Sequence, residues 1–278
     1  MGVIVAMPKK EFKSWIGRLL HIARVGRPDI MYQTIALARV ADKPNASNVR
    51  DLTHLIKYLA TTVDKVLRLD KPTQMHLVGY SDATWSPDYG TDYDNYRSTT
   101  GRLFQLGGGA LLSWASRQQP IVARASTESE LYAASDCALE AIHIRQLLNF
   151  MGHFTRNSVP IMVDNQSCIR QSVNTMDMRN ARHYGRHAGW LRQRCKYGDV
   201  SLHYVPTKLQ RADVLTKIQP RPGHEQSCAQ FAFGLPDSLV HAQLEPYDGV
   251  PGCDDARLTA QQLIPVSDHG GLVHFTYV

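Results

Sequence analysis

The chain has 278 residues, a length typical of about two domains and sufficient to bury a sizeable hydrophobic core. Hydrophobic residues make up 43% of the sequence and glycine and proline are near average, which excludes collagen and a wholly disordered chain. The five cysteines form no Cys-x-x-Cys pair, so a disulfide scaffold and a zinc ribbon are not indicated. We therefore expect a soluble, intracellular protein with no membrane partner, since no apolar run is long enough to span a bilayer.

The net charge of +6 is unevenly distributed along the chain. Residues 1–75 carry a net charge of +7, residues 76–219 carry +4, and residues 220–278 carry −5. A basic body of this kind is typical of proteins that bind a polyanion, because lysine and arginine that neutralise phosphates release counterions. A solvated basic surface explains the charge equally well.

The first 67 residues show apolar positions at helical spacing and predict three helices, separated near Pro28 and Pro44. Only one acid, Glu11, occurs among the first 28 residues. That composition is compatible with a mitochondrial presequence, although a packed amphipathic helix explains it more simply.

From residue 76 the pattern changes to short strands. Strands are predicted at 76–82, 101–106 and 110–116, and the three glycines at 107–109 predict a tight hairpin turn. A capping box formed by Thr127 and Glu130 predicts the start of a long helix. Two more strands are expected at 159–163 and 200–205, with helices at 166–173, 182–196 and 209–217. Residues beyond Pro220 are expected to be partly irregular.

Four carboxylates fall at the ends of these elements: Asp82, Glu130, Asp164 and Asp213. Each one alone could be a cap or a turn residue. Four brought together would repel one another unless divalent cations hold them. Hard oxygen ligands favour Mg²⁺ or Mn²⁺, and two such ions support hydrolysis of a phosphodiester.

These residues lie within motifs that resemble the RNase H domain of copia-type long-terminal-repeat retrotransposons. The motifs are YSDATW (80–85), RSTTG (97–101), LGGGA (106–110), STESELYA (126–133), VDNQS (163–167), YVPT (204–207) and ADVLTK (212–217). Upstream, Gly17-x-Leu19 and RPDI (27–30) resemble the segment that connects a copia-type reverse transcriptase to its RNase H domain. The resemblance covers residues 12–218.

The resemblance implies an α/β, RNase H-like fold, in which helices flank a five-stranded mixed sheet that a small helical segment precedes. Together with the charge distribution, it predicts a helical connection or thumb-like remnant (1–75) and an RNase H-like domain (76–219). The acidic, Pro/Gly-rich tail (220–278) lies outside the resemblance and is predicted from composition alone. The resemblance makes Asp82, Glu130, Asp164 and Asp213 the catalytic ligands of two Mg²⁺ or Mn²⁺ ions. Glu128 is the neighbouring alternative, but Glu130 precedes the hydrophobic-x-Ala step of the family. The histidine that assists catalysis in some cellular RNases H has no counterpart in residues 206–212. His203 lies earlier, on the predicted strand, and is not interpreted as catalytic.

The implied partner is an RNA/DNA hybrid or structured RNA. The sequence departs from the family at 182–189, where RHYGRHAG replaces the Lys-His-x-Asp-x-Arg-Tyr-His stretch that precedes the fifth strand. Residues 179–196 nevertheless contain five arginines, one lysine and no acid, which suits contact with phosphates, although a solvated basic helix is the alternative. The candidate nucleic-acid contacts are Arg179, Arg182, Arg186, Trp190, Arg192, Arg194 and Lys196.

Two functions remain open. The first is a ribonuclease H that hydrolyses the RNA strand of RNA/DNA hybrids. The second is a domesticated, non-catalytic subunit of a large assembly, such as a mitochondrial ribosome or another ribonucleoprotein. A polymerase is not indicated, because no Tyr-x-Asp-Asp motif is present. A transposase is not indicated either, because no glutamate occurs between Asp164 and His224.

Overall fold

The computed structural model describes residues 7–72, 74–85, 96–107, 109–153, 157–173, 185–231 and 233–234. Three helices come first, as predicted: α1 (Lys9–Val25), α2 (Met31–Arg39) and α3 (Ala46–Ala60). Asn45 caps α3, where it and Asn48 exchange side-chain to backbone hydrogen bonds of 2.9 Å. A short strand, β1 (Val66–Leu67), follows this helical segment.

A five-stranded mixed sheet forms the centre of the fold. Its strands are β2 (Leu77–Thr84), β3 (Thr99–Leu106), β4 (Ala110–Gln118), β5 (Val159–Val163) and β6 (Val200–Tyr204). The spatial order is β4-β3-β2-β5-β6, with β2, β3 and β4 antiparallel and β5 and β6 parallel to β2. This topology confirms the predicted RNase H-like fold.

The turn between β3 and β4 begins with a glycine that a larger residue could not replace. Gly107 has φ +61°, a conformation that other residues rarely adopt, and a Cβ there would lie 2.5 Å from Cβ of Pro72. The three-glycine motif is thus structural in this part of the turn, although Gly108 lies outside the described residues.

Helices cover both faces of the sheet. The long helix α4 (Ser126–Phe150) crosses one face together with α5 (Gln166–Val173) and α6 (Gly185–Lys196). Alanines along α4 let its backbone approach the sheet closely: Ala133, Ala134, Ala138 and Ala141. The predicted capping box is wrong, because Ala125 occupies the N-cap and makes no side-chain cap. Glu130 therefore does not form a capping box at the start of α4.

The stretch predicted as a last helix at 209–217 is not an α-helix. It forms two 3₁₀ turns, Thr207–Leu209 and Arg211–Leu215, which Gln210 separates in an extended conformation (ψ 102°). The side chain of Gln210 accepts a hydrogen bond from the Ala212 N–H and donates one to the Ser81 carbonyl at 2.9 Å. The bond to Ser81 of β2 and the bond to Ala212 together stabilise the break in the helix.

The described residues after Pro220 include regular secondary structure. They form α7 (Arg221–Ala229), which begins with a proline in its first turn, and a short strand, β7 (Phe233–Gly234). Strand β7 pairs antiparallel with β1, so that Phe233 lies opposite Leu67. Cys228, Phe231 and Phe233 are almost fully buried.

One hydrophobic core lies on the face of the sheet opposite α4. Helices α1–α3 and the α7–β7 segment both contribute to it. Phe12 and Leu52 pack there with Tyr80, Leu103 and the aromatic residues after α7. Trp114 of β4 donates its indole N–H to the Ala23 carbonyl of α1 at 2.8 Å. Residues on both sides of positions 75 and 219 therefore contribute to the same core.

A buried polar network reinforces this core. Arg27 pairs with Asp29 at 2.8 Å, and the hydroxyl of Tyr58 on α3 donates to the same carboxylate at 2.8 Å. The ring of His224 on α7 lies 3.3 Å from that hydroxyl. Within the described ranges, none of the helices has the length and apolarity that crossing a membrane requires.

Candidate metal centre

Asp82 and Asp164 meet because their strands run in parallel at the centre of the sheet. Strands β2 and β5 pair at Gly79 with Ile161 and at Tyr80 with Met162, so residues two positions further along reach the same edge. Asp82 lies within β2 and Asp164 directly follows β5. The carboxyl ends of neighbouring parallel strands thus bring two acids together, as predicted.

Helix α4 places a third carboxylate against these two. Oxygen atoms of Asp82, Glu130 and Asp164 all lie within 4.8 Å of one another. Glu130 is only 6% exposed, and its Oε2 atom is buried without a hydrogen-bond partner. An unsatisfied buried carboxylate oxygen is costly, so this position favours a bound cation. Three hard oxygen donors at this spacing fit Mg²⁺ or Mn²⁺.

Asp213 approaches the site from the turn Arg211–Leu215. This turn packs directly on Gly101 of β3, where a Cβ would lie 2.6 Å from Cγ2 of Thr216 and 2.8 Å from the Ala212 carbonyl oxygen. Asp213 does not join the close group of three. Its Oδ1 lies 2.5 Å from Nζ of Lys217, and its Oδ2 accepts a 2.5 Å hydrogen bond from Gln219.

Burial and proximity raise the pKa values of the three clustered carboxyl groups. Burial and the charges of Asp164 and Asp213 raise the pKa of Asp82 to about 7. Burial and the same kind of repulsion raise the pKa of Glu130 well above its usual range. Burial also raises the pKa of Asp164. A bound cation would compensate the charge of these carboxylates and favour their ionised forms.

Two hydroxyl groups orient the aspartates. Thr216 donates to Oδ2 of Asp82 at 2.5 Å, and Thr207 donates to Oδ2 of Asp164 at 2.9 Å. Neither threonine was among the predicted site residues, and Lys217 and Gln219 were also missed. The sequence spacing could have indicated two of these residues. Thr216 and Lys217 follow Asp213 by three and four positions, and residues at these spacings lie on one side of a helical turn.

The neighbouring acid Glu128 points elsewhere. Its carboxylate accepts a 2.7 Å hydrogen bond from the backbone N–H of Arg124, just before α4. The geometry therefore favours Glu130 over Glu128 as the site residue. His203 on β6 contacts the hydroxyl of Ser201 at 2.9 Å.

The candidate nucleic-acid contacts on α6 fall into two groups. Arg186 and Lys196 are exposed. Arg192 donates to the Gln171 carbonyl at 2.8 Å, and Arg194 pairs with Asp199 while its guanidinium lies 5.8 Å from the ring centre of Trp190. Arg179 and Arg182 lie outside the described residues.

The sequence is similar to segments of known proteins. The chain is 31% identical over 215 residues to the retrovirus-related Pol polyprotein from transposon TNT 1-94 of Nicotiana tabacum, a match that covers 77% of this chain and 16% of that protein. It is 31% identical over 222 residues to the corresponding polyprotein from transposon RE1 of Arabidopsis thaliana, covering 80% of this chain and 15% of that protein. The homologues of this chain are Pol polyproteins of copia-type retrotransposons.

The Pol relatives are much longer than the matched region, which spans about one-sixth of the tobacco polyprotein. The secreted RxLR effector protein 161 of Plasmopara viticola is 35% identical over 136 residues, and the match covers 49% of this chain and 92% of that protein. No protein-family model matches the chain.

Solved structures with a similar fold include RNase H1 from Halobacterium salinarum, with 16% identity and a TM-score of 0.36. That alignment covers 51% of this chain and 94% of the archaeal protein. The foamy viral protease-reverse transcriptase in complex with RNA/DNA hybrid aligns with 13% identity, a TM-score of 0.44, and coverage of 78% of this chain and 27% of the viral chain.

Proposed function

We propose that this chain is a divalent-metal-dependent ribonuclease H that hydrolyses the RNA strand of an RNA/DNA hybrid. The observation that carries the proposal is the buried group of Asp82, Glu130 and Asp164, in which one glutamate oxygen has no partner. Four retained carboxylates are difficult to explain in a purely structural protein, because their repulsion destabilises the fold.

Asp82, Glu130, Asp164 and Asp213 would hold two Mg²⁺ or Mn²⁺ ions. When bound, such ions activate a water molecule and stabilise the leaving oxygen of a phosphodiester. The residues of the chain hold the carboxylates for this purpose: Thr216 orients Asp82, and Thr207 orients Asp164. The close packing of the Arg211–Leu215 turn on Gly101 brings Asp213 to the same edge of the sheet.

Helix α6 would bind the backbone of the nucleic acid. Arg186 and Lys196 offer exposed positive charges, and Trp190 lies between them on the same helix. Arg192 and Arg194 are engaged within the protein, so their contribution would come from shaping the helix as well as from charge. Phosphate contacts of this kind carry little sequence preference.

The test is cleavage of a labelled RNA/DNA hybrid with Mg²⁺ or Mn²⁺, beside duplex RNA and duplex DNA. We expect hybrid-specific cleavage that EDTA abolishes. Asp82→Asn and Asp164→Asn should each abolish cleavage while the fold is retained, and Asp64→Asn, at an exposed position after α3, should cleave normally. Cleavage by both site variants would contradict the proposed site.

The second candidate is a domesticated, non-catalytic subunit of a larger ribonucleoprotein or protein complex. The match that covers 92% of the Plasmopara viticola protein favours this candidate, because most of a separate, shorter protein consists of the shared segment. A folded chain that binds RNA or a large complex but does not cleave the hybrid would support this role instead.

A further inference from the structure

Asp213 differs from the other three carboxylates in that its own chain neutralises it. Lys217 places Nζ 2.5 Å from Oδ1, and Gln219 donates to Oδ2 at 2.5 Å. Oδ1 of Asp213 thus has an ion-pair partner, although it accepts no hydrogen bond, and Oδ2 has a hydrogen-bond donor. Oε2 of Glu130 likewise accepts no hydrogen bond.

The charge of Lys217 extends beyond this pair. It lowers the pKa of Asp82, of Glu130 and of Asp164, in each case against the larger effect of burial. Lys217 is thus a cation that compensates the whole carboxylate group. Its side chain is 45% exposed, so its flexible stem can move toward solvent without disturbing the core.

We propose that Lys217 is a resident counter-ion of Asp213 that competes with a divalent cation for this carboxylate, and thereby sets the cation concentration at which the second metal position fills. The inference rests on the proposed function, because it requires that the carboxylates bind metal. Lys217 is a positioning residue in this scheme. No covalent step is involved: the ammonium group leaves Asp213 when the cation arrives.

The physical basis is a competition between two positive charges for one acceptor. A metal ion that binds Asp213 must break the Lys217 ion pair and then tolerate a nearby ammonium group. A half-exposed ion pair of this kind is expected to change the binding constant by about fivefold. Removal of the lysine charge should therefore strengthen metal binding, whereas the loss of a carboxylate ligand would weaken it.

The experiment is a titration of the full chain with Mn²⁺ alone, in which electron paramagnetic resonance measures the free ion. No nucleic acid and no cleavage are needed. We expect Lys217→Met to lower the half-saturating Mn²⁺ concentration of the weaker position by about fivefold. Lys217→Arg, which keeps the charge, should bind like the wild type, and so should Lys43→Met, which removes an exposed charge between α2 and α3.

A double-mutant cycle separates this role from a general effect on charge. In an Asp213→Asn background the ion pair is absent and only the general effect of the Lys217 charge remains, so Lys217→Met should strengthen binding by clearly less than it does in the wild type; equal strengthening in both backgrounds would contradict the competition for Asp213. Lys217→Gln provides a second neutral variant, and circular dichroism verifies the fold of each protein. Equal or weaker Mn²⁺ binding by folded Lys217→Met would overturn the role of Lys217 alone. A wild-type chain that binds no Mn²⁺ would overturn the proposed metal site itself.

Discussion

Gly101 lies directly opposite Asp82 across strands β3 and β2, and the turn that carries Asp213 occupies the space where a side chain at Gly101 would lie. Contacts of 2.6 to 2.9 Å to a new Cβ would involve Thr216, Leu215 and the backbone of Ala212. A backbone atom cannot move aside as a flexible side chain can. The placement of the fourth carboxylate therefore depends on the absence of a Cβ on the neighbouring strand.

Replacement of this glycine should displace the turn. We expect Gly101→Ala to lower the free energy of unfolding by about 1–3 kcal/mol, as overpacking does, and to weaken Mn²⁺ binding. Urea denaturation and metal titration measure the two effects. Gly17→Ala is the matched control, because a Cβ there meets nothing within 4 Å and should raise helix stability by about 0.5–1 kcal/mol. Unchanged stability and binding in Gly101→Ala would contradict this account of the turn.

The buried Asp82 should make the metal-free protein less stable as pH rises. Its pKa is about 7 in the folded state, against 3.8 for an exposed aspartate, so the folded state retains a proton that the unfolded state has lost. The free energy of unfolding should therefore fall between about pH 4 and pH 7. Asp82→Asn removes this contribution.

We expect the variant to gain stability relative to the wild type in EDTA, by a few kcal/mol at most, as pH increases from 5 to 7. Denaturation at several pH values measures the difference between the two proteins, which cancels the contributions of other groups. Millimolar Mg²⁺ should reduce the difference at pH 7. A difference that does not depend on pH would show that Asp82 has an ordinary pKa.

The network around Asp29 should be more important for stability than its position outside the metal centre suggests. Asp29→Ala leaves the guanidinium of Arg27 buried without its partner and should cost about 3–5 kcal/mol. Tyr58→Phe removes one hydrogen bond to the same carboxylate and should cost about 1 kcal/mol. Thermal or chemical denaturation tests both. The exposed Asp42, which pairs with Lys9 and Lys13, is the control and should tolerate alanine with little change.

Helix α6 should contribute to nucleic-acid affinity through charge. Arg186→Ala and Lys196→Ala should each weaken hybrid binding at low salt and reduce the slope of log affinity against log salt concentration by about one. Fluorescence anisotropy across a salt series measures this slope. Arg50→Ala, on the exposed side of α3, is the control. An unchanged slope in both α6 variants would place the binding surface elsewhere.

The helical segment should be required for the sheet to fold. A fragment that begins at residue 76 would expose Tyr80, Leu103 and Leu111, which α1–α3 cover in the full chain. We expect this fragment to aggregate or to lack near-ultraviolet circular dichroism. Co-expression with residues 1–75 should restore a folded complex. A fragment that folds cooperatively alone would instead support residue 75 as a true domain boundary.

Much of this architecture was predictable from local pattern. The strand Val159–Val163 and the helix Gln166–Val173 lie where the apolar periodicity predicts them. The interpretation of 209–217 as a helix was wrong because Gln210 bonds to the end of a distant strand, an interaction that local periodicity does not report. Helix α7 and strand β7 were not predicted for a similar reason, since both depend on burial in the core that α1–α3 share.

The site was predictable to a different degree. Strand ends and helix starts indicate which acids can meet, but the pairing of Asp213 with Lys217 depends on the direction of both side chains. Likewise, the sequence does not distinguish Arg186 from Arg192, since both are arginines in the same basic helix. Only three-dimensional packing shows that the Arg192 guanidinium donates to the Gln171 carbonyl.

The pairing of β1 with β7 joins residues 66–67 to residues 233–234 and completes the core beneath the first three helices. During synthesis, α1–α3 emerge long before Phe231 and Phe233 can cover them. At about 5–20 residues per second, the ribosome needs roughly 10–35 seconds to reach that point. During that interval the part of the helix core that Phe231 and Phe233 cover stays exposed. We therefore expect chaperones that bind apolar surfaces to recognise the nascent chain.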